Sequence, residues 1–146
     1  MSELRLDELV ARFVAGTIPR EEWTHEAHLA VGLWHVHRYG AEEALERLRT
    51  GILALNERHG TPNTETRGYH ETITVAYVRL LDQFLSASDA NRSLEARLAE
   101  LLSGPLGDRA LLFRFWSREV LMAPAARVAW TPPDLGPLVL PRAPRE

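Results

Sequence analysis

The sequence predicts an all-α protein, an up-down helical bundle of about five to six helices followed by an extended proline-rich C-terminal strap. Apolar residues recur at intervals of three and four along most of the chain, which is the spacing of one face of a helix. Glycine and proline separate these segments. Six of the nine prolines lie after residue 123, where the helical spacing stops. We therefore expect residues 1–123 to form the helical bundle domain and residues 124–146 to pack on it as a strap.

The apolar spacing divides the bundle into six predicted helices. They span residues 3–15, 19–39, 41–59, 69–85, 94–102 and 108–122. Pro19 suits the first position of the second helix, although Thr24 also offers an N-cap there. Gly16 and Gly60 are expected to close the first and third helices, and Asp108 to cap the sixth. Residues 60–68 are too polar to form a packed element.

Length and composition limit the classes of function. A chain of 146 residues with 45% hydrophobic and 25% charged residues is typical of one globular domain. Its net charge of −3 argues against a nucleic-acid or anionic-membrane partner. No apolar run approaches the roughly 20 residues of a membrane span, and no signal-peptide pattern follows Met1, so a cytoplasmic location is expected. There is no cysteine, so only histidine and carboxylate side chains can hold a metal.

The second predicted helix turns histidines toward the core. At 100° per residue, His25, His28 and His35 fall within an arc of about 80°, and Gly32 leaves space in the same arc. The helix is apolar on nearly all sides, which is typical of a central helix. His37 points outward.

The fourth predicted helix also directs a histidine inward. His70 lies in the middle of the apolar face that Ile73 and Tyr77 continue. It belongs to the first turn, where the positive end of the helix dipole disfavours imidazolium. The neutral imidazole that results is the form that binds metal ions.

Topology predicts that these histidines share one end of the bundle. Short connections make successive helices antiparallel neighbours. The start of the second helix, the end of the third and the start of the fourth then meet under the loop 60–68. Four of the six histidines, His25, His28, His59 and His70, converge there, while His35 lies roughly 10 Å deeper at 1.5 Å per residue.

This cluster suggests a site for a divalent transition metal. His25, His28 and His70 are the expected ligands, with His59, Glu22 or Glu71 as a fourth. Three imidazoles with an open position form a catalytic arrangement, in which the ion activates water or polarises a substrate oxygen. Zinc, iron, nickel and copper all accept such ligands.

A metal-dependent enzyme acting on a small polar molecule, a hydrolase or a lyase, is the expected function. Glu26 and Glu71 are the candidates for orienting a ligand imidazole or acting as general base. Arg67, with Asn63 in the same loop, is the candidate for holding a substrate carboxylate.

Three other interpretations of the histidines stay open. They can be buried residues that hydrogen-bond to hydroxyls such as those of Thr24, Thr72 and Thr74. They can carry out acid–base chemistry without metal. The cluster can also belong to a non-catalytic protein that binds a small ligand or a metal. If the histidines are only buried hydrogen-bonding residues, the chain can be a structural or interaction protein.

Several motifs resemble those of a group of small, all-helical bacterial proteins of unknown function. They are Trp-Thr-His-Glu-Ala-His-Leu at 23–29, Gly-Thr-Pro-Asn-Thr at 60–64 and Gly-Tyr-His-Glu-Thr-Ile-Thr at 68–74. A segment at 117–122, followed by Ala126-Arg127 and the Pro-Asp-Leu of 133–135, extends the resemblance over nearly the whole chain. The resemblance implies an all-helical fold and no particular activity.

Overall fold

The computed structural model describes residues 5–141, and helices dominate this range. Its α-helices are α1 (Leu6–Ala15), α2 (His25–Tyr39), α3 (Ala41–Arg58), α4 (Glu71–Ala87), α5 (Leu94–Ser103), α6 (Arg118–Leu121) and α7 (Pro124–Val128). Short 3₁₀ helices span Arg20–Glu22, Pro105–Gly107 and Leu111–Arg114. The predicted all-α class is confirmed, and the described residues contain no strand. No helix within residues 5–141 is long and apolar enough to cross a membrane.

The helix α2 is the centre of the bundle. It contacts α1, α3, α4 and α5. Its buried residues include Leu29, Val31, Leu33 and Val36, which lie on different sides of the helix axis. Apolar residues all round a helix can be buried only if neighbours cover every side. The central position predicted from the sequence is therefore confirmed.

The start of α2, the end of α3 and the start of α4 meet at one end of the bundle. Gly40, at φ 82°, is the only residue between α2 and α3, so the chain reverses there. His59 caps the end of α3, and its Nε2 lies 2.7 Å from the carbonyl oxygen of Ile18, a few residues before α2. His28 of α2 and His70 at the start of α4 line the same cavity. The predicted shared end is thus present.

Side-chain caps set where two of these helices begin. The Thr24 hydroxyl accepts from the backbone N–H of Ala27 at 3.2 Å, so α2 starts at His25. Pro19 instead precedes the 3₁₀ helix, which corrects the expectation of a second helix from residue 19. At α4 the cap is His70, whose Nδ1 accepts from the N–H of Ile73.

The prediction of a sixth helix over residues 108–122 is wrong. Its place is taken by the 3₁₀ helix Leu111–Arg114, irregular residues and the short α6. The backbone groups that a continuous helix would pair internally bind elsewhere: the carbonyl of Phe115 accepts from Leu135 N–H at 2.9 Å, and Ser117 N–H donates to Oδ1 of Asp134 at 2.8 Å. The Ser117 hydroxyl then caps α6 by accepting from Val120 N–H.

The expectation that the chain is extended from residue 124 is also corrected. Pro124 occupies the first turn of α7, where its missing N–H is not needed. After α7 the chain contains no helix as far as residue 141, and residues 142–146 lie outside the described range. Between these limits the backbone hydrogen-bonds to α4: Ala129 and Thr131 to the Thr72 hydroxyl, and Leu138 and Leu140 to the Gln83 amide.

Candidate functional site

A cavity of about 460 Å³ opens between α2, α4 and the segment 109–122. Most of its walls are apolar side chains, namely Trp23, Leu29, Leu48, Ile52, Ile73, Val78, Leu81, Leu112, Phe113, Leu121 and Met122. Its polar side chains are Thr24, His25, His28, Thr74, Tyr77 and Arg109. Gly32 also lines it, but the space that the sequence predicted beside this glycine is filled by Leu81, whose Cδ1 lies 2.8 Å from where a Cβ at Gly32 would be. We refer to it as the main cavity.

A second cavity of about 440 Å³ adjoins the main cavity at the shared end of the bundle. The two have five lining residues in common, namely Trp23, His28, Ile52, Ile73 and Thr74. The other lining residues of this side cavity are mostly polar: Asn56, Thr61, Gly68, Tyr69, His70 and Arg127. His28 therefore stands at the boundary between an apolar and a polar compartment.

Hydrogen bonding determines which form of His28 faces these cavities. Its Nδ1 lies 2.7 Å from the carbonyl oxygen of Thr24, so Nδ1 carries the proton and donates it. Nε2 of the neutral ring is then an acceptor, and no residue of the described range hydrogen-bonds to it. The ring lies 3.8 Å from that of Trp23, centroid to centroid, which holds its plane in place.

The surroundings of His28 lower its pKa to about 4. Desolvation of the ring is the largest cause, and the electrostatic influence of His25 and Arg109 adds to it, against the opposing hydrogen bond to Thr24. Many protein atoms surround the ring, but His28 is an exposed residue that solvent reaches through the cavity. His28 is therefore a neutral hydrogen-bond acceptor at physiological pH.

This pKa predicts a difference in acid stability between the wild type and His28→Phe, which keeps an aromatic ring but cannot take up a proton. An unfolded histidine titrates near 6.5, so the unfolded chain binds more protons between pH 6.5 and 4. The stability that neutral His28 contributes is complete above pH 6.5 and is lost as the pH falls through about 4. After allowance for solvent contact through the cavity, we expect a loss of about 1 to 2 kcal/mol.

Urea unfolding at several pH values measures this difference, and NMR titration of the His28 ring gives its midpoint directly. His35 and His70, whose pKa values are also lowered by burial, contribute equally to both proteins, so the difference isolates His28. A midpoint near 6.5, or the same acid sensitivity in both proteins, would contradict the prediction.

His25 and Tyr77 form the opposite polar part of the main cavity. Nε2 of His25 donates to the carbonyl oxygen of Leu106 at 3.1 Å, and its ring meets that of Tyr77 edge-on at 5.8 Å. Burial, with a smaller contribution from the Asp108 charge, raises the pKa of Tyr77 to about 12. The phenol therefore stays protonated and can donate a hydrogen bond inside the cavity.

His70 uses both ring nitrogens within the protein. Nδ1 accepts from Ile73 N–H at 3.2 Å, and Nε2 donates to the carbonyl oxygen of Leu121 at 2.8 Å. The side chain is buried, and burial lowers its pKa, so the ring is neutral. With both nitrogens engaged, His70 joins the start of α4 to the end of α6 and has no lone pair left for an ion.

The four predicted metal ligands do not form one centre. His59 donates through Nε2 to Ile18 and lines neither cavity, while His25 and His70 bind the backbone at Leu106 and Leu121. Across residues 5–141, no three histidine, aspartate or glutamate side chains are grouped so as to hold an ion. The predicted set thus does not fit one divalent metal, because its four histidines are not grouped around a common point and both ring nitrogens of His70 are already hydrogen-bonded.

Glu71 serves as a structural anion. Both of its oxygens accept from Arg49, at 2.9 and 2.6 Å, and Oε1 also accepts from the Tyr69 hydroxyl at 2.6 Å. The hydrogen bonds from Arg49, and then that from Tyr69, lower the pKa of this carboxyl group. A carboxylate held in this way ties α3 to α4 and is a poor general base, so the predicted catalytic role is not supported.

Glu26 and Arg67 lie away from the cavities. Both are exposed, and neither lines the main or the side cavity. Arg67 belongs to a turn in which its backbone N–H and carbonyl pair with Thr64. Asn63, its predicted companion, is occupied in shaping the loop, since its Oδ1 accepts from Asn56 and Tyr69. The structure does not bring these candidates to the histidines.

Sequence reasoning did not identify Tyr77 and Arg109 as site residues. Tyr77 follows His70 by two helical turns on the same apolar face, so periodicity contained the signal. Arg109 had no such signal, because the sequence predicts it on a helix whereas it lies in a turn between two 3₁₀ helices. Trp23, the first residue of the motif at 23–29, forms part of the wall of both cavities.

Comparisons with known proteins assign no function to these cavities. No family model matches the chain. The search of curated proteins and the search of solved structures also found no match. The resemblance to small bacterial helical proteins therefore stays a prediction, and function must be inferred from the cavities themselves.

Proposed function

We propose that this protein binds a small, mainly apolar molecule in the main cavity, with His28 accepting one of its hydrogen bonds. The observation that carries the proposal is a mostly apolar cavity in which a neutral imidazole keeps a free acceptor nitrogen. This changes the predicted ligand from a polar molecule to a mainly apolar one, because apolar side chains form most of the walls.

Size and lining support a small-molecule site. A volume of about 460 Å³ lies within the range of roughly 300–1,000 Å³ that is typical of ligand pockets. Apolar walls supply affinity by excluding water, and a few polar groups fix the orientation of the ligand. Here the polar groups complement one another: Nε2 of His28 accepts, and the Tyr77 hydroxyl donates.

The properties of His28 favour binding over acid–base catalysis. General bases work best with a pKa near the operating pH. A pKa of about 4 keeps the ring ready to accept a hydrogen bond, but makes it a weak base at neutral pH. Metal-dependent catalysis, the function expected from the sequence, gains no support from the positions of His25, His59 and His70.

A neutral fluorescent probe, N-phenyl-1-naphthylamine, tests the proposal, since it combines an apolar body with one N–H donor. Ile52 lines both cavities, so we expect Ile52→Trp to fill the space and weaken probe binding at least about tenfold, the equivalent of roughly 1.4 kcal/mol. Ala54→Trp is the matched control, because Ala54 is an exposed residue of α3 that lines neither cavity.

Fluorescence titration gives the affinities, and circular dichroism checks that both variants fold. The proposal predicts saturable binding to the wild type and to Ala54→Trp. Absence of saturable binding to the wild type, or equal affinity of the two variants, would overturn it.

A further inference from the structure

The charges that line the cavities have one sign. Among residues 5–141, Arg109 is the only arginine, lysine, aspartate or glutamate that lines the main cavity, and Arg127 is the only one that lines the side cavity. The chain as a whole carries 20 acidic residues against 17 basic ones. The exposed guanidinium group of Arg109 gives the edge of the main cavity a local positive charge, which favours an anion there, while the charge of the exposed Asp108 beside it acts on Tyr77.

Arg109 is not committed to any other group in the described part of the chain. No hydrogen bond or ion pair of residues 5–141 involves its side chain, whereas Arg49 pairs with Glu71 and Arg12 with Glu22. Its charge nevertheless reaches the cavity, since it contributes to the environment of His28. The guanidinium group is thus free to bind a ligand at the cavity edge.

The backbone around Arg109 holds it in this position. Asp108 accepts through Oδ1 from Ala110 N–H at 2.9 Å, and through its carbonyl from Leu111 N–H at 3.1 Å. Such a turn fixes the backbone of the residue at its centre, from which the exposed Arg109 side chain extends at the cavity edge. Asp108 is the nearest carboxylate along the chain, but it is exposed, lines neither cavity and already accepts this backbone hydrogen bond.

Arg127 has a different task. Its Nη1 donates to the carbonyl oxygen of Gly68 at 2.7 Å and approaches that of Tyr69 at 3.5 Å. It therefore connects the loop before α4 to α7. Its positive charge lies at the side cavity, but its N–H donors are partly used by these carbonyl groups, unlike those of Arg109.

We infer that the ligand is an amphiphilic anion whose acidic group binds Arg109 while its apolar body fills the main cavity. The inference rests on the proposed function and specifies its ligand class. A carboxylate is the simplest such group, because its two oxygens match two parallel N–H donors of a guanidinium. A neutral His28 is consistent with this ligand, because only Arg109 then attracts the acidic group. Nε2 of His28 can accept a hydrogen bond from a donor on the apolar body of the ligand.

Three probes of similar shape and different charge test the inference by displacing N-phenyl-1-naphthylamine. They are 1-naphthaleneacetate, its neutral amide, and the cationic 2-(1-naphthyl)ethylamine. We expect the acetate to bind about five- to tenfold more tightly than the amide, since a hydrogen-bonded charge partly open to solvent contributes that much. The amine should bind most weakly.

The variant Arg109→Gln should weaken binding of the acetate far more than binding of the amide, so that the preference for the acetate is lost. Arg114→Gln is the matched control, because Arg114 is an exposed arginine five residues away that lines neither cavity. Raising the salt concentration should weaken the acetate preference only where Arg109 is present.

The outcomes separate this inference from the proposed function. If N-phenyl-1-naphthylamine itself does not bind, the proposed function fails and this inference with it. If the probe binds but acetate and amide displace it equally, or if the acetate preference survives in Arg109→Gln, the cavity binds apolar molecules and the anion inference alone is wrong.

Discussion

Replacing His70 with alanine is expected to lower the free energy of unfolding by about 2 to 4 kcal/mol in protein freed of metal with EDTA. The change removes the N-cap of α4 and leaves Ile73 N–H without its acceptor, which typically costs about 1 kcal/mol. It also leaves the carbonyl oxygen of Leu121 without its donor in a buried place, which adds about 1 to 3 kcal/mol. Urea unfolding in EDTA measures the sum.

Two controls sharpen this experiment. In His70→Asn the side-chain oxygen can still cap α4, because asparagine is among the preferred N-cap residues, so about 1 kcal/mol should return. In His37→Ala the lost side chain is exposed on α2, and we expect a change within about 0.5 kcal/mol. If instead His70→Ala were as stable as the wild type in EDTA and lost only stabilisation by added zinc, His70 would be a metal ligand.

The case of His70 shows how far the sequence leads. The sequence predicts an inward ring at the same end as His28, and the buried ring and the cavity that the two residues share confirm both points. The predicted place in the first helical turn is wrong, because His70 has an extended backbone and is the N-cap of α4. What a buried imidazole binds depends on which groups lie opposite. For His70 that group is the carbonyl of Leu121, 51 residues away along the chain, and no local pattern reveals it.

The prediction of a helix over residues 108–122 was wrong for a related physical reason. Its apolar spacing satisfies a helix as well as it satisfies a series of short turns, because both bury Leu111, Leu112 and Leu121. The choice is made by long-range hydrogen bonds from the chain near Leu135 and Asp134, which occupy backbone groups of residues 115 and 117.

Replacing Trp116 with alanine is expected to destabilise the protein by about 3 to 5 kcal/mol, since it empties the volume of a fully buried tryptophan. The indole also joins the two ends of the irregular C-terminal part. Its Nε1 donates to the carbonyl oxygen of Thr131 at 2.9 Å, and its ring meets that of Trp130 edge-on at 5.7 Å. Thr131 in turn binds the Thr72 hydroxyl of α4, so the loss should spread to that contact.

Trp116→Phe separates packing from hydrogen bonding. It keeps most of the apolar volume and loses the donor to Thr131, so we expect it to recover more than half of the stability that alanine loses. Urea unfolding followed by far-ultraviolet circular dichroism measures both variants. A loss below about 1 kcal/mol in Trp116→Ala would contradict the prediction, because emptying the volume of a tryptophan in a well-packed core costs more free energy than that.

The same two variants also test the ligand site, since Leu121 and Met122, five and six residues beyond Trp116, form part of the main cavity wall. We therefore expect Trp116→Ala to weaken N-phenyl-1-naphthylamine binding as well, and Trp116→Phe to leave it nearly unchanged.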